Sequence, residues 1–461
     1  MRHYFTADQI RDAEAPLLAA LPDGALMRRA AGGLATAVAA ELRRRTGGVT
    51  GRSVCAVVGS GDNGGDALWA ATFLRRRGTS SSAILLNPEH THPSALAAFR
   101  ASGGRVVSAM PEGADLVIDG VVGISGTGPL RPAAAEVFAT VEAAGVPVVA
   151  VDIPSGIDVH TGAISGPAVR AALTVTFGGL KPVHALTDCG RVELVDIGLN
   201  LPATDLVGLE SADIRWPVPG PGDDKYSQGV VGILAGSVAY PGAAILCTGA
   251  AVAATSGMVR YAGAAAAQVV SHWPEVVAAP DPRAAGRVQA WCVGPGLGTD
   301  QAAMGALTFA LGSDVPVIVD ADGLTLLAAH PHLVTGRRAP TVLTPHAGEY
   351  ERFGLGPVGD DRVGAARRLA AALDVTVLLK GNITVIAQLE GPSYLNPAGG
   401  SWAATAGSGD VLSGIIGALL AAGLAPGEAA AAAAFVHARA ANASAADPGP
   451  APAPTSASRI L

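Results

Sequence analysis

Short runs of Val and Ile, each followed by a glycine-rich loop and then a helical-length Ala/Leu/Arg stretch, recur along almost the whole chain. This alternation limits the fold more than any other feature. Strands joined by helical crossovers pair in parallel, and a parallel sheet must be covered on both faces. In the first half, residues 54–58, 83–86, 115–118, 146–151 and 172–176 read as buried strands, with helices over 68–77, 94–102 and 133–144. A second series places strands at 230–235, 288–293, 315–319, 341–343, 375–379 and 384–387. It closes with helical residues 411–441, split in two near 423–426. Between the series lies Trp216-Pro217-Val218-Pro219-Gly220-Pro221-Gly222, whose prolines and glycines forbid a regular element. The boundary is therefore expected there, with one α/β domain over 1–215 and another over 223–461. The tail, 447–458, is rich in Pro, Ala and Ser and is expected to be loose.

Composition excludes several classes of function. A chain of 461 residues is long enough for two cores, and with 4% aromatic residues those cores must be built from Ala, Val, Leu and Ile. A formal charge of -7 leaves no basic surplus for nucleic acid. Cys55, Cys189, Cys247 and Cys292 are far apart and form no Cys-x-x-Cys pair, so reduced, buried thiols are expected. Residues 1–12 lack the apolar core of a signal peptide, and the apolar stretch 411–434 is broken by glycines, Pro426 and Glu428. These features predict a soluble cytoplasmic protein with no membrane partner.

Three loops of the first half converge on one sheet edge. Gly59-Ser60-Gly61-Asp62-Asn63-Gly64-Gly65-Asp66 joins a strand to a helix, where anionic ligands bind in doubly wound sheets. Asp119 follows an apolar run and leads towards Gly123-Ile124-Ser125-Gly126-Thr127-Gly128-Pro129, and Asp152 ends the next strand ahead of Pro154-Ser155-Gly156. A lone aspartate in such a place usually caps a turn. Three together point to a ligand site, and Asn63, Asp119 and Ser155 offer oxygen ligands that suit a hard monovalent or divalent cation.

The second half repeats the device around phosphoryl chemistry. Loops Tyr240-Pro241-Gly242-Ala243, Gly294 to Gly298 and Asp320-Ala321-Asp322 follow strands, and His346 lies between a strand end and Glu349. Lys380-Gly381-Asn382-Ile383-Thr384 sits between apolar strands, where a lysine beside a glycine fits a phosphate. In Ala406-Gly407-Ser408-Gly409-Asp410 two glycines free successive N–H groups to form an anion hole at a helix start. Asp410 at its mouth can take the proton of an attacking hydroxyl. A capped helix start is the plain alternative, but the company of five further loops at the same edge disfavours it.

In order and spacing these motifs resemble the bifunctional NAD(P)H-hydrate repair enzymes, over nearly all the chain. The first half resembles the NAD(P)HX epimerase domain through Leu26-Met27, Asp62 to Asp66, Asp119 to Pro129 and Asp152 to Gly156. The second resembles the ADP/ATP-dependent NAD(P)HX dehydratase. The resemblance implies a Rossmann-like three-layer α/β/α domain followed by a ribokinase-like α/β domain. It implies epimerisation of R- and S-NADHX and NADPHX at C6, with Asp152 catalytic and Asp62 to Asp66, Gly123 to Pro129 and Asp152 binding substrate. It also implies a potassium ion at Asn63, Asp119 and Ser155. In the second domain it implies Asp410 as base, with Ala243, Gly298, His346 and Asp410 facing the hydrate. Lys380 to Thr384 with Gly407, Ser408 and Gly409 would hold ADP or ATP with Mg2+. Both domain families self-associate, so a homo-oligomer is expected. The usual Gly-Thr-Gly-Asp is here Gly407-Ser408-Gly409-Asp410, which keeps the hydroxyl, and the chain stops at Leu461 where relatives usually have a closing helix. A vitamin kinase of the ribokinase-like class would use the same anion hole but leaves the first domain unexplained. A first domain that binds a nucleotide without turnover is the non-enzymatic rival.

Overall fold

The computed structural model describes residues 1–124, 126, 128–255, 257–397, 399–447 and 451–461. The chain divides into two compact units, His3–Thr204 and Asp205–Leu461 with Met1–Arg2. The division falls ahead of the proline-rich run 216–222 because Leu206–Gly208 pairs in parallel with Ser393–Pro397 and so joins the second sheet. The run itself carries no helix or strand.

The first unit is built on a seven-stranded sheet, all of whose pairs are parallel. In spatial order its strands are Arg105–Val107, Ser80–Leu85, Ser53–Val58, Leu116–Gly120, Val148–Val151, Leu173–Phe177 and Arg191–Val195. Alternate residues of the central strand serve opposite cores, as a period of two demands. Val54, Ala56 and Val58 pack with Leu34, Leu68 and Phe99 of the helices Ala25–Thr46, Asp62–Arg76 and Pro93–Ala101. Cys55 and Val57 pack with Phe138 and Val141 of the helix Pro132–Ala143. From Ser53–Val58 the chain adds strands to one side, then returns to Leu116–Gly120 on the other. Between these two strands the loops must part, and a crevice opens at the sheet's carboxyl edge.

The second unit follows the same rule. Its parallel strands run Thr376–Leu379, Thr341–Leu343, Val317–Val319, Ala290–Val293, Val230–Leu234, Met258–Ala262 and Val277–Ala279. Ile383–Ala387 and Ser393–Pro397 continue the sheet antiparallel. The order reverses between Val230–Leu234 and Ala290–Val293, and there Gly236 N–H donates to the Pro295 carbonyl at 2.7 Å. Helix Ser408–Ala421 is buried along nearly its whole length. It lies against helix Pro241–Ala254 so closely that a Cβ on Gly414 would sit 2.1 Å from the Cys247 carbonyl oxygen.

Several expectations change. Met258–Ala262, Val277–Ala279 and Arg191–Val195 are strands without a long apolar run, because charged or exposed residues interrupt them at or near sheet edges, and Ser393–Pro397 is a buried strand whose apolar run is broken by the polar Ser393 and Asn396. Residues 457–460, in the tail expected to be loose and just after it, form a helix that buries Ala457 and Ile460. The two closing helices run Ser408–Ala421 and Pro426–Ala446. Among the described residues no helix is long and apolar enough to cross a membrane. Gly414→Ala is expected to destabilise the second unit by about 1–3 kcal/mol through overpacking, read as a lower midpoint of urea unfolding; an unchanged midpoint would contradict the close helix approach.

Candidate active sites

The crevice of the first unit collects the groups that three strand ends deliver. Asp119 belongs to the strand Leu116–Gly120 and is wholly buried. Its Oδ1 accepts from Ser155 Oγ at 2.7 Å and its Oδ2 from Ser155 N at 2.8 Å, while Val122 N donates to Ser155 Oγ at 3.0 Å. Asn63 Nδ2 donates to the carbonyls of Val151 and Val122 at 2.6 and 3.3 Å. Asn63 Oδ1 then faces Gly123, where a Cβ would come within 2.4 Å of it. Every donor to Asp119 is neutral, and burial pushes its carboxyl up to about 6. One carboxylate, one amide oxygen and one hydroxyl, with no cation paired to the carboxylate among the described residues, fit the oxygen ligand set of a hard monovalent or divalent cation.

Asp152 ends its strand at φ 69°, a left-handed conformation uncommon outside glycine. Burial would raise its carboxyl, but the Lys181 ammonium 2.5 Å away outweighs this and holds it below the ordinary range. Asp66 has the opposite character: it is buried, its Oδ1 has no partner, and burial with Asp62, Asp152 and Glu14 nearby pushes it well up. Two carboxyls driven apart by their surroundings can divide proton donation from proton acceptance. Asp62, Asn63, Asp66, Gly123, Ile124 and Asp152 line a cavity of about 390 Å³, together with Glu14 and Lys181. Gly64, Gly65, Gly126, Gly128 and Pro129 are not among its lining residues. Gly64 is required by packing, since a Cβ there would sit 2.3 Å from the Gly59 carbonyl oxygen. Ser125 and Thr127 lie outside the described residues. Glu14, Thr176, Lys181 and His184 were not expected from sequence; the only local signal was a lone lysine in an otherwise apolar Gly-Gly-Leu-Lys-Pro-Val run.

The second crevice is organised by Asp320. Its Oδ1 accepts from Lys380 Nζ and its Oδ2 from Ser413 Oγ, both at 2.7 Å, and it is 1% exposed. Lys380 also lies 3.5 Å from Glu349; burial would lower its ammonium, but the two carboxylates outweigh burial and raise it. The lysine is thus anchored by carboxylates while still lining the adjoining cavity of about 490 Å³. His346, Gly381, Asn382, Thr384, Ser408 and Gly409 line that cavity as well. Ala243, Gly298, Ile383, Gly407 and Asp410 do not. His346 has a structural duty: its Nδ1 accepts from the N–H groups of Gly348 and Glu349, capping the short helix Ala347–Glu351. Ser408 Oγ donates to the Ala403 carbonyl at 2.5 Å, so its hydroxyl pins the loop.

Gly407 has φ 83° and turns the chain into helix Ser408–Ala421. A Cβ on Gly409 would lie 3.6 Å from Lys380 Nζ and 3.8 Å from Asp320 Oδ2, so this turn presents bare backbone to the charged pair. Asp410 opens beside it. Burial pushes its carboxyl up to about 7, the Asp320 and Asp322 charges add to this, and Lys380 partly offsets it. Gly298 N–H donates to Asp322 Oδ2 at 2.8 Å, and a Cβ on Gly296 would meet Ala243 Cβ at 2.6 Å. Ala243 and Gly298 therefore belong to the same strand-end cluster as Asp410. Between Asp320 and Asp322, Ala321 holds φ 50° and ψ -117°, backbone strain of the kind found at functional sites.

A family model described as NAD(P)H-hydrate dehydratase matches residues 231–461, and one described as YjeF-related protein N-terminus matches residues 23–183. The bifunctional NAD(P)H-hydrate repair enzyme Nnr of Mycobacterium tuberculosis is 76% identical over 462 residues, covering 100% of this chain and 98% of the relative. The chain belongs to the bifunctional NAD(P)H-hydrate repair enzymes. Among solved structures, a ribokinase-like superfamily protein of Enterococcus faecalis is 24% identical with a TM-score of 0.50, over 57% of this chain and 94% of that one. That likeness concerns fold alone: the second unit of this repair enzyme has a ribokinase-like α/β fold. An ADP/ATP-dependent NAD(P)H-hydrate dehydratase of Bacillus subtilis, co-crystallised with ATP and Mg2+, is 29% identical with a TM-score of 0.47, over 53% and 90% of the two chains.

In this repair enzyme, among the described residues, Lys380 is the charge that lowers the Asp410 carboxyl. Lys380→Met is therefore expected to move the Asp410 titration above about 7. Carbon NMR of protein labelled at aspartate, assigned against Asp410→Asn, checks this; an unmoved or lowered titration would contradict it.

Proposed function

We propose that the chain salvages hydrated NADH and NADPH in two steps. The first unit interconverts the R and S epimers of NAD(P)HX at C6, with Asp152 as the base and Asp62 to Asp66 and Gly123 to Pro129 around the substrate. The second dehydrates the S epimer at the expense of ADP or ATP. The observation that carries the reading is Asp410, a carboxyl raised to about 7 at the mouth of a glycine-turned helix beside a cavity lined by Lys380, Gly381, Asn382 and Thr384. A base with that character accepts a hydroxyl proton near neutral pH without an excessive penalty for returning it.

In the dehydration, Asp410 takes the proton of the C6 hydroxyl while that oxygen bonds to the terminal phosphorus and the bond to the leaving nucleotide breaks. The N–H groups of the Gly407–Gly409 turn, at a helix N-terminus, meet the charge that develops on the transferring group. Departure of phosphate from C6 with loss of a proton from C5 then restores the dihydropyridine double bond. Ala243, Gly298 and His346 would face the hydrate; Lys380 to Thr384, Gly407, Ser408 and Gly409 would hold the nucleotide. Mg2+ bound with the nucleotide would supply charge neutralisation on the phosphates. In the first unit, Asn63, Asp119 and Ser155 would hold potassium, whose charge keeps the buried Asp119 ionised. We read the protein as a cytoplasmic homo-oligomer, supported by buried, free cysteines and the habit of both domain families.

Hydrated NADH supplied with ADP and with ATP in separate assays tests substrate, reaction and donor together. Return of the near-ultraviolet NADH absorbance with either nucleotide is expected, and its absence with both would contradict the reading. Asp410→Asn is expected to lower that rate at least about 100-fold while leaving nucleotide affinity intact. Because the base must be ionised, the wild-type rate should fall about tenfold per pH unit below about 7 and level off above it. A rate that rises as pH falls would remove Asp410 as the base.

A further inference from the structure

Beside Asp152 the cavity of the first unit holds a buried ammonium to which the chemistry above gives no role. Lys181 is 1% exposed, and its Nζ lies 2.5 Å from Asp152 Oδ1, 2.9 Å from Thr176 Oγ1 and 3.2 Å from the Phe177 carbonyl. An ammonium has three N–H donors and no acceptor. All three are spent on the protein, so Lys181 acts as a fixed charge with no proton left for a ligand. Thr176 Oγ1 donates to the same Asp152 Oδ1 at 2.9 Å. Among the described residues no donor reaches Asp152 Oδ2, although Asp152 lines the cavity. One carboxylate oxygen is held twice and the other is left for a ligand.

The backbone on either side of this contact is tied as well. Lys181 N–H donates to His184 Nδ1 at 2.9 Å, and His184 Nε2 lies 2.8 Å from the Asp152 carbonyl oxygen. Because Nδ1 accepts, the ring proton must sit on Nε2 and is donated to that carbonyl. Burial, with Lys181 nearby, lowers the ring to about 4, so the imidazole stays neutral and keeps this tautomer. His184 thus fastens the main chain of Lys181 to that of Asp152, whose left-handed φ of 69° needs such a restraint.

We propose that Lys181, completed by Thr176 and His184, is the positioning residue of the epimerisation site, fixing Asp152 as an ionised base with Oδ2 free for the C6 hydroxyl. This rests on the reading of the first unit as the epimerase. The proton passes from the C6 hydroxyl to Oδ2, the C6–N1 bond opens with its electron pair moving onto the ring nitrogen and its conjugated carboxamide, and reclosure on the other face returns the proton. Nothing is oxidised, reduced or consumed. The groups that face Asp152 are the Lys181 ammonium, neutral His184, and the carboxyls of Glu14, Asp62 and Asp66. Without the ammonium, burial and the neighbouring carboxyls outweigh the Thr176 hydroxyl bond and raise Asp152.

The test uses the full chain and follows R-to-S interconversion above the uncatalysed rate from about pH 5 to about pH 9 in wild type, Lys181→Met and Lys181→Arg. Nucleotide-driven dehydration by the same polypeptide reports that the second unit is intact. Lys181→Met is expected to gain an acid limb, losing about tenfold per pH unit as pH falls through neutrality, where wild type is flat. Lys181→Arg should keep the wild-type profile at a reduced rate. A merely structural lysine would lower the rate equally at all pH values. A folded Lys181→Met chain with the wild-type profile overturns the proposal. If the methionine variant loses the fold of its first unit, the arginine variant decides: a wild-type profile supports the proposal, and a new acid limb overturns it. A wild-type chain that does not interconvert the epimers overturns the epimerase reading and this role with it, whereas failure in the variants alone overturns only the role of Lys181.

Discussion

A parallel sheet whose strand order reverses leaves a crevice at its carboxyl edge, and everything chemical in this protein is built on two such reversals. Between Ser53–Val58 and Leu116–Gly120, and again between Val230–Leu234 and Ala290–Val293, neighbouring loops leave in opposite directions. The strand ends beside them are the places where a buried chain can deliver polar groups without breaking a sheet. The glycines follow from this geometry. Gly59, Gly64 and Gly236 let loops approach to distances that a side chain would forbid, and Gly407 supplies the left-handed turn that aims a helix start at the crevice.

Carboxyl groups brought into such a place must be given a protonation state by their neighbours. Asp152 is kept charged by Lys181, and Asp119 meets only neutral donors. Asp320 takes both Lys380 and Ser413, and its charge helps hold Asp410 up near neutrality. Removing one partner of a buried pair such as Asp152–Lys181 strands a charge at a cost of roughly 3–5 kcal/mol. Their surroundings also set the two carboxyls apart: Asp152 is held below the ordinary carboxylate range, and Asp410 is pushed up to about 7.

The strand-to-helix alternation and its glycine loops were legible because apolar periodicity and turn chemistry are local. Asp119 and Asp410 stood out because each lies at a strand end or helix start beside glycine, and Asp152 because it follows an apolar strand ahead of Pro154-Ser155-Gly156. What escaped was the partner of Asp152 and one partner of Asp320. Lys181 meets Asp152 across 29 positions, and Ser413 meets Asp320 across 93; nothing in either local stretch announces the pairing. His346 was placed at the right edge, but its capping of Ala347–Glu351 depends on a ring orientation that no spacing predicts. The edge strands escaped because exposure on one face interrupts the apolar runs, and the docked end of the tail because Ala457 and Ile460 find their burial only in the folded unit.

That one chain carries two sites acting in sequence on one damaged cofactor is tested most directly by supplying pure R-epimer hydrate with nucleotide to the wild-type chain, to Asp152→Asn and to a mixture of Asp152→Asn with Asp410→Asn. Complete return of NADH absorbance is expected with wild type, a rate limited by uncatalysed epimerisation with Asp152→Asn alone, and recovery in the mixture. Rapid conversion of the R epimer by Asp152→Asn alone would contradict the sequential scheme.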